Sequence, residues 1–172
     1  MNGMFYSCSN LNNLDLSPLD TKNVTYISGM FYLCSSLKKL DLKTFNIKNV
    51  TKMNAMLHKC FGLTEINVSY FETRNVIDMQ AMFKSCENIK YPNASNFYIN
   101  DKTGIIYFIS NCKSLTTLDL FCFDNITYEI ELLLYNPKSF FLNELKEIKI
   151  KKEYSNKIKS EKIPNNITLI YT

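Results

Sequence analysis

Cys8, Cys34, Cys60, Cys86 and Cys112 recur with a 26-residue period and no slippage, and other columns keep the same register. Met4, Met30, Met56 and Met82 form one column, with Phe108 in the fifth place; Leu11, Leu37, Leu63, Ile89 and Leu115 form another. A fixed period of about 20–50 residues means that each repeat is one supersecondary unit stacked on the next. A unit of this size cannot bury its apolar face alone, so the chain must fold by laying copies on one another, with like residues as neighbours.

Within a copy the spacing of apolar residues changes. Over residues 11–34, Leu11, Leu14 and Leu16 read L-x-x-L-x-L, followed by Leu19 and then Asn23-Val24-Thr25. Leu14-Asp15-Leu16 alternates as a short strand does, whereas Val24, Ile27, Met30, Phe31 and Cys34 recur every three to four residues, as on one helix face. The pattern predicts strand, turn, short helix, turn, with Asn23, Asn49 and Asn75 as helix N-caps. Neighbouring strands then pair in a parallel ladder.

The register holds through residues 35–60 and 61–86. In the fourth copy Pro92 replaces the middle strand residue and removes a ladder donor, and Ala94 replaces the next large side chain. The fifth recovers with Leu115, Leu118, Leu120 and Phe123, after which Leu145, Ile148 and Ile150 restore the strand pattern about four residues late. The expected organisation is a stack of about five repeats over 1–123, the first truncated, and an irregular last coil with a Lys-rich cap over 124–172, ending in a strand at 167–171. Met1 falls in the column of Ile27, Met53, Met79 and Ile105, so the chain opens inside a repeat. That leads to the expectation that further sequence, including any export signal, lies upstream, and that Met4, Phe5 and Leu11 lack a covering coil.

Charge separates the two parts. Residues 1–137 carry 12 basic and 12 acidic side chains, so the net charge of +4 falls at the C-terminus, among lysines from Lys138 to Lys162. That stretch has no arginine, whereas nucleic-acid footprints combine a basic stripe with Arg or aromatic readers; it reads as a solvated face, with no nucleic-acid partner. No apolar run approaches the roughly 20 residues needed to cross a bilayer, so no membrane span is expected.

Cys34-x-x-Leu37-x-x-Leu40-x-Leu42-x-x-Phe45, followed by Asn49-Val50-Thr51-x-Met53-x-x-Met56, resembles the BspA-like surface-protein repeat, a bacterial variant of the leucine-rich repeat that includes mycoplasma members. The likeness spans roughly residues 1–123 and is carried best by Leu19, Asp20, Thr21, Asn23, Val24, Gly29, Met30, Phe31 and Cys34. It implies a cell-surface or extracellular protein of the adhesin type, binding a protein or a host surface component. The fold class expected is α/β: a right-handed, leucine-rich-repeat-like solenoid with one short parallel strand and one short helix per 26-residue coil.

Chemistry is much less legible. The cysteines share an apolar face with Met and Phe, one per coil, and read as packed thiols rather than disulfides or a soft-metal site; Cys122 stands outside that column. Six Asn-x-Ser/Thr triplets begin at Asn23, Asn49, Asn67, Asn93, Asn125 and Asn166, and the first two are better explained by the repeat than by glycans. His58 shares a column with Tyr6, Tyr32, Lys84 and Ser110, which predicts an exposed, inert imidazole. No catalytic residue, metal ligand or cofactor site is assigned. The candidate binding surface is the outward strand column Asp15, Asp41, Asn67, Asn93 and Asp119, flanked by Ser17, Lys39, Lys43, Glu65 and Ser69, because parallel stacking arrays these groups on one broad face. The chain is therefore expected to be a non-enzymatic interaction module, the alternative being a structural remnant of a longer repeat protein with no binding role of its own.

Overall fold

The computed structural model describes residues 1–94, 96–100, 102–119, 144–155 and 165–171. Successive coils begin at Met1, Ile27, Met53, Met79 and Ile105, and backbone hydrogen bonds join each to the next at a constant step. Ile27, Gly29, Phe31 and Leu33 donate their N–H groups to the carbonyls of Lys52, Asn54, Met56 and His58, each one residue before the matching place of the next coil, at 2.9–3.0 Å. The same four bonds run from Met53, Ala55, Leu57 and Lys59 into the fourth coil, and from Met79, Ala81, Phe83 and Ser85 into the fifth. Gly3, Phe5 and Ser7 bond the second coil in the same way.

The intervening N–H groups stay on their own coil. Met30, Tyr32 and Cys34 bond the carbonyls of Ile27, Gly29 and Phe31, three residues back. This alternation replaces the helix expected over Val24–Cys34: an α-helix would direct every N–H to the carbonyl four residues back and leave none for a neighbour. What forms instead is a run of β-turns with left-handed residues, Gly29 at φ 59° and Leu33 at φ 61°, each in the third position of a turn. Ala55, Lys59, Ala81, Ser85, Tyr107 and Asn111 repeat that conformation in later coils, at φ 54–63°. Among the described residues, helical structure is confined to two 3-10 turns, Thr73–Asn75 and Lys152–Tyr154.

Two of the three asparagines expected to cap helices, Asn49 and Asn75, bind across coils instead. The side-chain amides of Asn49 and Asn75 donate to the carbonyls of Lys22 and Lys48, each 27 residues back, at 2.9 and 2.8 Å. Asn88 and Asn96 do the same to Phe61 and Ser69, both at 2.7 Å.

On the other side of the coils lie short parallel strands: β1 (Ile66–Asn67), β2 (Pro92–Asn93), β3 (Thr117–Asp119), β4 (Glu147–Ile150) and β5 (Thr168–Tyr171). β1 pairs with β2, and β3, β4 and β5 form a second sheet in that order. Residues 14–16 and 40–42 are not strands; inter-coil links on that side include Ser36 N–H to the Ser9 carbonyl at 3.2 Å and Gly62 N–H to that of Ser35 at 2.9 Å. Pro92 does not prevent pairing. It sits buried opposite Ile66, and the carbonyl of Asn93 accepts the N–H of Val68 at 3.0 Å, so this rung needs no donor from proline. The strand expected at 167–171 is β5, and Ile148 of β4 stands between Leu118 and Leu169.

The core is a set of parallel columns. Cys34, Cys60, Cys86 and Cys112 are fully buried, as are Met30, Met56 and Met82, and Leu37, Leu63, Ile89, Leu115 and Leu145. At about 25 cal/mol per Å² of apolar surface, burying two faces per coil is the main stabilising contribution. In the first coil Phe5, Leu11 and Leu14 are partly buried and Met4 is 49% exposed, where the matching side chains of later coils are nearly all inside.

Two mirror substitutions test the turn assignment. Left-handed φ costs an L-residue about 1–2 kcal/mol, and glycine's extra unfolded-state freedom returns about 0.4–1. Ala55→Gly is therefore expected to raise the unfolding midpoint by roughly 1–4 °C, and Gly29→Ala, whose added Cβ finds its nearest neighbour an ordinary 3.8 Å away, to lower it similarly. Helical segments would reverse both signs, because alanine exceeds glycine in a helix by about 1 kcal/mol.

Candidate binding face and thiol column

The thiols form one file. Each Sγ donates to the carbonyl of a residue 29 positions earlier: Cys34 to Phe5, Cys60 to Phe31, Cys86 to Leu57 and Cys112 to Phe83, at 3.0–3.1 Å. The carbonyl of Phe31 also accepts the N–H of Cys34, so the thiol adds a second donor from the next coil. A small apolar side chain with one weak donor suits this slot, which explains cysteine rather than alanine or serine there. Burial pushes the Cys34 thiol up to about 11 and that of Cys112 to about 12, and raises Cys60 and Cys86 well beyond the ordinary thiol range. These groups are protonated at neutral pH and poor nucleophiles. Cys8 is exposed, and Cys122 lies outside the described residues.

His58 differs from the expectation of an exposed ring. It is half-buried, with Tyr6 and Tyr32 stacked at 4.8 Å in the same column and its own ring edge-on to Tyr32 at 4.7 Å. Its Nε2 is buried without a hydrogen-bond partner. Burial, then the positive charges of Lys84 and Lys59, lower its pKa to about 4, so it is neutral at physiological pH. The sequence placed His58 in the right column but could not show that ring stacking covers it.

The outward strand column has a local task. An oxygen of Asp15, Asp41 and Asn67 accepts the N–H of Ser17, Lys43 and Ser69, two residues on, at 2.9, 2.9 and 3.0 Å. These Asx turns lead the chain out of the strand side of each coil. The Ser69 hydroxyl adds a 2.7 Å bond to Asn67, and the N–H and then the hydroxyl of Ser17 hold Asp15 below the usual carboxylate range. Acidic or amide residues are thus required here by the turn, whatever else they do.

Five of the ten candidate residues meet. Lys39, Asp41, Lys43, Glu65 and Asn67 line a shallow recess of about 330 Å³, floored by Leu40 and Ile66 and closed on one side by Tyr70. Lys39 and Glu65 pair across it at 3.2 Å, both exposed. Asp15, Ser17 and Ser69 lie along the same file, and Asn93 and Asp119 continue it through β2 and β3, half-buried. The strand register adds Lys149 opposite Asp119, and Glu147 opposite Thr117. Both alternate with Ile148 and Ile150 in the strand pattern that resumes at Leu145, about four residues past the places that the period assigns, so that alternation was the signal for them. Tyr91 stands in the column of Lys39 and Glu65, so the period alone could have found it; burial and then the Asp119 carboxylate raise its pKa. Tyr70, 51% exposed, follows the strand pattern by one residue and carried no signal.

Residues 1–120 match the model of a Mycoplasma protein family of unknown function, DUF285. No curated protein and no solved structure matches the chain.

Two outcomes follow for the titratable groups. In the native protein at pH 8, a disulfide reagent should modify Cys8 quickly and leave Cys34, Cys60, Cys86 and Cys112 untouched until denaturant is added; mass mapping of the modified peptides checks this. For His58 the folded pKa lies below the unfolded value, so the unfolded state binds the extra proton. Stability should be fully present above about pH 6.5 and fall as pH drops toward 4. His58→Tyr, which continues the ring column, should reduce that acid sensitivity in melts between those limits; an unchanged slope would assign it to other groups.

Proposed function

We propose, since the chain belongs to this Mycoplasma family of unknown function, that it is a non-enzymatic interaction module displayed at a cell surface or outside the cell. In this reading the stacked coils are a right-handed, leucine-rich-repeat-like solenoid over 1–123 with a cap over 124–172. The likeness to BspA-like repeats belongs to the same proposal. Its partner is a protein or a host surface component, met by the strand face.

The observation that carries the reading is the recess of Lys39, Asp41, Lys43, Glu65 and Asn67 beside the exposed ring of Tyr70. It joins two coils and offers one large exposed aromatic side chain, the kind of residue by which protein surfaces anchor partners, beside polar groups of both charge signs such as form an interface rim. The interior groups that could begin a reaction are held in quiet states, the thiols protonated and His58 neutral. No helix among the described residues is long and apolar enough to cross a membrane. The Asx turns favour a second reading, a structural segment with no partner of its own, since they account for Asp15, Asp41 and Asn67 without any ligand.

Lys39, Lys43 and Tyr70 distinguish the two, because the turns do not use their side chains. A labelled Lys39→Glu, Lys43→Glu, Tyr70→Ala variant is expected to lose at least tenfold in binding to host cells or matrix proteins, as when an anchor residue is truncated, while unfolding at the parent temperature. Equal binding by parent and variant would favour the structural reading. Asp41→Ala is unsuitable, since it also breaks a turn.

A further inference from the structure

Behind Tyr70, away from the recess, lies a second and larger depression of about 650 Å³, lined by Tyr70, Glu72, Arg74, Asn96, Tyr98 and Lys151 among others. Arg74 is the only arginine in the chain. Its guanidinium lies over the ring of Tyr98 at 5.0 Å, and neither Arg74 nor Glu72 is in an ion pair among the described residues. The guanidinium is therefore held in place by a ring face while its N–H fork remains available.

The support beneath it is rigid. The hydroxyl of Thr73, which is fully buried, accepts the N–H of Tyr98 at 2.6 Å and donates to the Tyr98 carbonyl at 3.1 Å, locking the coil of Arg74 to that of Tyr98. Asn96 is fixed by its bond to the Ser69 carbonyl at 2.7 Å, which leaves its side-chain oxygen as an acceptor. Lys151, which pairs at 3.9 Å with Glu153, also lines the groove.

The lining discriminates between ligand classes. A peptide adding as a strand needs a strand edge with a regular row of unused donors, whereas the backbone here runs into the 3-10 turn Thr73–Asn75 and the N–H groups of Phe71, Phe97 and Tyr98 are bonded within the protein. A peptide docking by apolar anchors needs open hydrophobic pockets, and Phe71 and Phe97 are each 1% exposed, closed beneath the floor. What remains is an exposed tyrosine ring, an amide, a carboxylate and a fork that matches a carboxylate in two parallel bonds. We infer that this groove binds saccharides that carry a carboxylate, with the sugar's C–H face on Tyr70 and its acid group on Arg74.

This inference rests on the reading of the chain as a binding module and shares only Tyr70 with the recess; Lys39→Glu with Lys43→Glu addresses the recess and Arg74→Gln the groove, so the two can fail separately. The probe is a tetrasaccharide alternating glucuronic acid and N-acetylglucosamine, titrated into the full chain by calorimetry beside its carboxyl-reduced, neutral counterpart. Saturable binding of the acidic sugar is expected, weakened about tenfold or more by carboxyl reduction, by Arg74→Gln and by Tyr70→Ala, and less by Arg74→Lys, which keeps the charge without the fork. Lys39→Glu with Lys43→Glu, which disturbs only the recess, should leave it in place. No saturable binding, equal affinity for the neutral sugar, or indifference to Arg74→Gln in a variant that melts with the parent would overturn the assignment.

Discussion

Everything in this protein hangs on the division of its backbone donors between two coils. Along each turn segment one N–H closes a turn on its own coil and the next reaches a carbonyl of the coil ahead. Neither half would suffice. Turns alone would leave each 26-residue coil isolated, and cross-coil bonds alone would give a flat ladder that never brought the chain back around. The same division sets the columns in line, because bonds at a fixed step force Cys34, Cys60, Cys86 and Cys112 into one file. Burial of that file then places a thiol donor against a carbonyl of the coil before it.

Side chains extend the principle. Asn49, Asn75, Asn88 and Asn96 each send an amide to a carbonyl 27 residues back, so the polar residues of the repeat link coils as the apolar ones do. Asp15, Asp41 and Asn67 work within a coil, holding the exit from the strand side. The face that a partner would meet is consequently built from residues with prior duties. Lys39, Lys43, Tyr70 and Arg74 are the exceptions, since their heads are not needed for any turn or ladder, and they are where a binding role is most economically placed.

The period was legible from the cysteines alone, and with it the buried columns, the parallel direction of pairing and the outward strand file. The conformation of the second half was not. Spacing of three to four residues among Ile27, Met30, Phe31 and Cys34 is produced equally by a helix and by consecutive turns, and the periodicity argument cannot separate them. Gly29 and Gly3, in one column, were the signal for left-handed backbone, weakened because Ala55, Ala81 and Tyr107 take the same place. Of the candidate face, the column members came from the period, and Glu147 and Lys149 had their signal in the alternation about Ile148; pairing of β3 with β4 sets them opposite Thr117 and Asp119. His58 and Tyr70 depended on which neighbours cover them, information that no single column contains.

The odd-and-even division of donors also constrains how such a gene can change. Because the period is an even number, each residue of a coil inherits the parity of its counterpart, and outward donors always meet outward acceptors. Loss of one codon within a turn segment would swap the two sets from that point to the end of the segment, turning inward the groups that the neighbouring coil requires. A change of length that keeps both this parity and the alignment of the buried columns is a whole module, gained or lost through duplication or unequal recombination. β3, β4 and β5, separated by unequal steps in the sequence, pair side by side in parallel.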